Sequence, residues 1–180
     1  MSSQTEWTDG VPVPALTGEK VVEQFPDAEV LMITRQSSEE ERRRAARVAL
    51  RAMADTPFHA PAFTADDPDP EVHVFLARHD GRAIALAVLR PKPRWAWWSW
   101  DDYEAEHRPT TAIAPMTSWT VELIWTLGRV QQSGLAHRLL KVASRVVQQP
   151  VASFGWRRPF TPSGQEFVRR MCPEGFWVPD

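Results

Sequence analysis

The chain has 180 residues, 43% of them apolar, and a formal net charge of −2. That length fits one domain, and the composition fits a soluble globular protein rather than a disordered tail. Near-neutral charge argues against a nucleic-acid binder held by bulk charge, and the single cysteine, Cys172, excludes an internal disulfide and a zinc finger. Residues 1–28 carry Pro12, Pro14 and Pro26 with little periodicity and read as a loosely ordered lead-in. Their opening, MSSQTEWTDG, has neither the basic nor the apolar region of a signal peptide. No apolar run approaches the ~18 residues of a membrane helix, so a cytoplasmic setting is expected. Glu29–Arg35 is a short apolar run that predicts a first strand.

The stretch SSEEERRRAARVALRAMA predicts the clearest helix. Ser37 and Glu40 have capping-box spacing, and Glu39–Glu41 suit the positive end of the helix dipole. Val48, Ala49, Ala52 and Met53 fall on one face. Arg42, Arg43, Arg44, Arg47 and Arg51 point elsewhere, as a solvated face paired with neighbouring glutamates rather than a phosphate grip. Residues 55–70 hold four prolines and read as an acidic loop. Asp66, Asp67 and Asp69 lack the glycine and closing glutamate of a calcium loop. VHVFLARHDGRAIALAVLR predicts a hairpin turning at Asp80-Gly81. Residues 91–118 lose the pattern and contain RWAWWSWDDY.

A further strand, WTVELIWTL, puts Thr120, Glu122, Ile124 and Thr126 on one face by simple alternation. Val121, Leu123, Trp125 and Leu127 fall on the other. Residues 128–133 form a loop. From Gly134, a stripe of Leu135, Leu139, Val142 and Val146 predicts a helix ending before Pro150. VASFGW reads as a short strand, Pro159–Gly164 as a turn, Gln165–Met171 as a helix and GFWV as a closing strand. The expectation is a mixed α/β (α+β) fold with no internal repeat.

The strand–loop–helix junction at 119–148 is the most informative. A loop entering a helix presents free backbone N–H groups at the positive end of the dipole. Gln131-x-x-Gly134-x-Ala136 sits there, with small residues that spare a pyrophosphate a Cβ collision. It is neither a Walker motif nor a dinucleotide fingerprint, having no GK[ST] and no GxGxxG. It resembles the Q/R-x-x-G-x-G/A loop of the GNAT acetyltransferases, which holds the coenzyme A pyrophosphate.

Ile124-Trp125-Thr126, the QQSGLA loop, PFTPSGQEFVRRMC and GFWV together resemble the C-terminal half of the cohesin acetyltransferases. The likeness covers roughly Val72–Asp180. It implies a GNAT domain over 29–180 and an acetyl-CoA-dependent N-acetyltransferase. By position it assigns acetyl-CoA to Ile124, Trp125 and Thr126, to Gln132, Ser133, Gly134, Leu135, Ala136 and His137, and to Thr161, Pro162 and Ser163. The acceptor it suggests is an amine, either a protein lysine or a small molecule; no metal or membrane is involved. Three departures stand out. The family's zinc finger is missing. Gln131, Gln132 and Ser133 replace a basic stretch. Trp156, Arg157 and Arg158 stand where the family has a catalytic aspartate. A catalytically inactive CoA-binding or protein-interaction module is therefore the alternative.

Glu122 occupies the position of the family's catalytic serine. Acetyl transfer to an amine requires the ammonium to lose a proton, and a carboxylate in an apolar strand setting is suited to take it. The other reading pairs Glu122 with one of the many arginines. Tyr103, the only tyrosine, is remote in sequence from the loop, so no general acid is evident. Trp97 and Trp98, in the Trp95–Trp100 cluster, have three readings: packing, a wall for the acceptor, or base stacking opposed by Asp101, Asp102, Glu104 and Glu106. The five histidines have no metal-ligand spacing. Cys172 reads as a buried small residue.

Overall fold

A computed structural model describes residues 9–108 and 117–179. One eight-stranded sheet organises them. Its strands are β1 (Val11–Pro12), β2 (Val21–Gln24), β3 (Glu29–Thr34), β4 (His73–His79), β5 (Arg82–Trp98), β6 (Thr117–Thr126), β7 (Gly155–Trp156) and β8 (Phe176–Pro179). The order is β2-β3-β4-β5-β6-β7-β8, with β1 added on β5 and a second pairing between β5 and β8. The β6–β7 and β7–β8 pairs are parallel and the rest antiparallel. Two segments of the expected lead-in, Val11–Pro12 and Val21–Gln24, thus belong to the sheet, and Val13 is buried. Its reason is charge: Glu19 and Glu29 hold Arg78, which is 4% exposed, at 2.7 Å each.

Helix α1 (Glu39–Met53) packs on β3 and β5. Its cap is Ser38 with Glu41, one residue beyond the expected pair, because SSEEE offers the same spacing twice. The arginine face divides as expected for Arg43, which pairs with Glu39. Arg44, by contrast, is buried and bonded to Glu40 and the Pro14 carbonyl. Helix α2 (Trp100–Glu104), α3 (Leu135–Val147) and α4 (Pro162–Met171) follow. The β4–β5 turn has both central residues at positive φ, Asp80 at 47° and Gly81 at 72°, as the tight hairpin requires.

Two expectations about strands change. Residues 91–98 continue β5 despite Pro91 and Pro93. β4 pairing ends at Leu89, so both prolines occupy a stretch where one edge of β5 has no β4 partner, which is where a missing N–H costs nothing. Alternation along β6 also breaks. Val121 pairs with Leu89, but Leu123 pairs with Val88, so Glu122 is an extra, bulged residue. A one-residue bulge exchanges the faces beyond it. Thr120, Leu123 and Trp125 therefore share one face, while Val121, Ile124 and Thr126 share the other. Glu122 stays on the Thr120 face, beside Lys92. Among the described residues no helix is long and apolar enough to cross a membrane.

Candidate active site

β6 and β7 run side by side only briefly. Thr120 pairs with Gly155 and Val121 with Trp156, and the Arg157 N–H donates to the Val121 carbonyl at 3.1 Å. Beyond that point the chain turns away toward α4, while β6 continues for five residues. The gap is a cavity of about 370 Å3. Ile124, Trp125, Thr126, Gln132, Gly134, Leu135, Ala136, His137, Thr161 and Ser163 all line it. Of the twelve residues assigned to acetyl-CoA, two lie beside it. The Ser133 hydroxyl accepts from the Leu135 N–H at 3.3 Å. Pro162 is the exposed first residue of α4.

The loop entering α3 has a distinct local cause. Gly134 sits at φ 79° as the N-cap of α3, and Gln132 at φ 71°. A Cβ at Gly134 would meet no protein atom within 4 Å. The glycine is thus required by its left-handed backbone rather than by crowding within the chain. The Ala136 and His137 N–H groups find no acceptor among the described residues, as expected of a first helical turn. No acidic side chain occupies that turn. The positive end of a 13-residue helix therefore faces the cavity uncompensated, an arrangement suited to an anion. Across the cavity, Thr161 caps α4 by accepting from the Gly164 N–H at 3.0 Å. His137 Nδ1 lies 2.9 Å from Met171 Sδ and ties α3 to α4.

Sequence reasoning missed several lining residues. Phe167, Arg170 and Met171 join the assigned Ser163 in lining the cavity from α4; their helical spacing from Ser163 was available as a signal. Asp55 and Thr56, just past α1, also line it. Asp55 accepts from the Trp125 indole N–H at 2.8 Å and from Arg51 at 3.0 Å. No pattern in the 55–70 loop pointed there.

Glu122 is not among the residues lining this cavity. It is 6% exposed, with Oε1 2.8 Å from Lys92 Nζ and Oε2 3.6 Å from Arg157. Lys92 is near by charge but out of line for a hydrogen bond. The expected arginine partner is therefore present together with a lysine. Arg157 also stacks over the Phe58 ring at 3.9 Å. Next to this group, Arg90 is held by Asp67 at 2.5 Å and Asp69 at 3.3 Å. Burial alone would raise the Asp67 carboxyl, but the Arg90 hydrogen bond and charge hold it below the ordinary range. Asp67 and Asp69 of the acidic loop thus have a structural partner, and the described residues contain no metal-binding cluster.

The Trp cluster divides. Trp98 is 5% exposed, with Tyr103 edge-on and the Arg158 guanidinium 4.3 Å above it. It lines a second cavity of about 890 Å3 with Tyr103, Glu104, Glu106, Arg108 and Arg158. Trp97 packs on Trp177, 5.2 Å between ring centres, and does not line that cavity. Trp100 is buried among Tyr103, Phe160 and Phe176 and donates to the Cys172 carbonyl at 2.8 Å. The side chains of Arg94 and Trp95, and residues 109–116, lie outside the described residues. Burial raises the Cys172 thiol above its ordinary value, which keeps it protonated and inert.

No protein-family model and no curated protein matches the chain. Solved structures do. The acetyltransferase domain of xEco2 bound to a K105–CoA conjugate superposes with a TM-score of 0.70 at 13% identity, covering 90% of this chain and 98% of that one. A second structure of the xEco2 acetyltransferase domain gives 0.68 at 14% identity over 92% and 98%. A ribosomal-protein-alanine N-acetyltransferase from Brucella melitensis biovar Abortus 2308 gives 0.53 at 15% identity over 81% and 91%. At such identities the likeness concerns fold, and the sheet that parts between β6 and β7 agrees with it: the chain has the GNAT acetyltransferase fold.

Proposed function

We propose that the protein is an acetyl-CoA-dependent N-acetyltransferase acting on an amine. The observation that carries this reading is the cavity at the β6–β7 parting, with the bare N-terminus of α3 at one side. The Ala136 and His137 amides would hold the pyrophosphate. Ile124, Trp125 and Thr126, on the stretch of β6 beyond its β7 pairing, would lie along the pantetheine arm. Thr161, Ser163 and Phe167 would form the opposite wall. When bound, acetyl-CoA supplies an acetyl thioester.

The chain's own residues then supply the proton acceptor. Glu122 takes a proton from the acceptor ammonium, which makes the nitrogen a nucleophile. In balance, the acceptor ammonium loses two protons and gains one N–acetyl bond as the thioester C–S bond breaks; one proton leaves through Glu122 to solvent and one ends on the released thiol. Glu122, which keeps the Thr120 face, points at Lys92 and Arg157, while the bulge exchanges the faces of the residues beyond it. The second reading, an inactive module that binds CoA, is favoured by one observation: both Glu122 oxygens face cations. Thiol release from acetyl-CoA across a panel of amines, lysine peptides included, decides between the two. Turnover on any member supports the enzyme. Acetyl-CoA binding without turnover supports the module.

A further inference from the structure

Glu122 is buried, yet the two cations that hold it are not. Lys92 and Arg157 are 35% and 34% exposed, while Glu122 is 6% exposed. The neighbouring Arg90 differs: it is 13% exposed and neutralised by Asp67 and Asp69. Two accessible positive groups therefore flank one buried carboxylate. Arg157 is further fixed by the Phe58 ring beneath it, so its guanidinium is presented in one orientation.

An acceptor ammonium that gives its proton to Glu122 has to take the place now held by Lys92, 2.8 Å from Oε1. A simple cationic amine would displace Lys92 and leave three positive groups around one carboxylate, a costly arrangement where water is scarce. An amine that carries its own carboxylate avoids this. Its ammonium meets Glu122, and its carboxylate meets Lys92 and Arg157, so that every charge has a partner. Discrimination against the plain amine follows from the group left unpaired rather than from shape.

We infer that the acceptor is an amino-carboxylate, a small molecule with an anionic carboxylate close to the reacting amine, recognised by Lys92 and Arg157. This rests on the acetyltransferase reading and narrows it to one substrate class. Neither cation is proposed to take a proton; both bind the acceptor.

The test uses the full chain, acetyl-CoA and matched pairs of acceptors: glycine and glycinamide, β-alanine and β-alaninamide, lysine and lysinamide. A lysine-containing peptide with blocked ends joins the panel. For the wild type, kcat/KM on each acid should exceed that on its amide by at least about tenfold, the scale of one partly exposed charge pair. In Arg157→Gln the preference should collapse through KM for the acid, and Arg157→Lys should restore much of it. Amides or the blocked peptide turned over as well as the acids would overturn this inference and leave the acetyltransferase reading standing. No turnover on any member overturns both. The wild-type comparison stands whether or not the variants fold.

Discussion

The 131–137 loop and the surroundings of Glu122 lie at the two ends of the β6 stretch beyond its β7 pairing, and they are built from different materials. The loop works through backbone: a left-handed Gly134, two amides without acceptors and a helix end free of acidic side chains. The Glu122 end works through side chains from three distant parts of the chain, Lys92, Glu122 and Arg157, crossed by Phe58. Backbone sites depend on where glycine and helix starts fall. Side-chain sites depend on which residues the sheet register brings together. The first can persist through wide sequence change, while the second can be rebuilt for a new acceptor.

Separate perturbations should sharpen that division. Glu122→Gln keeps the size and removes the proton acceptor. We expect kcat to fall ~10²–10⁴-fold, the scale of general-base removal, with acetyl-CoA affinity unchanged by calorimetry. A rate and pH profile equal to the wild type would make Glu122 structural only. Trp98→Ala empties a site 5% exposed beneath Arg158. It should cost ~3–5 kcal/mol in urea unfolding, as for other buried aromatic truncations. Trp97→Ala, half-buried against Trp177, should cost less. If Trp98→Ala leaves stability intact and raises acceptor KM, the cluster is an acceptor wall and the division fails.

The smallest effect concerns Asp67. Asp67→Asn removes the charge that holds Arg90 and should cost about 1–3 kcal/mol near neutral pH. The sign with pH follows from its lowered carboxyl. The wild type has this stabilisation above about pH 4, the unfolded value, and loses it as pH falls through the lower folded value. The gap between wild type and variant should therefore close in acid. A constant gap across the titration would show that Asp67 acts through packing alone.

Legibility in the sequence follows the same line. The Asp80-Gly81 turn, the α3 stripe and the loop at Gly134 could be read because each depends on neighbours within a few residues. The cap of α1 slipped by one because SSEEE repeats its own signal. β5 was cut short at Pro91 because its edge partners are set by sheet order, which no local pattern states. The bulge at Glu122 was invisible for the same reason: it exists only as a mismatch with Val88 and Leu89. Lys92 is unremarkable alone, and Arg157 stood out only as a departure from the resembled pattern; only the β5–β6 and β6–β7 pairings bring them to one carboxylate.

The central claim is that the bare α3 N-terminus receives the phosphates of acetyl-CoA. Ala136→Glu tests it with little ambiguity, because an acidic residue in the first turn favours the helix while opposing an anion. Calorimetry should show micromolar acetyl-CoA binding to the wild type, weakened at least about 100-fold in the variant by the added like charge and the blocked amides. Thermal unfolding should be equal or higher in the variant. Wild-type protein that takes up no acetyl-CoA, or an Ala136→Glu variant that binds it equally well, would contradict the account.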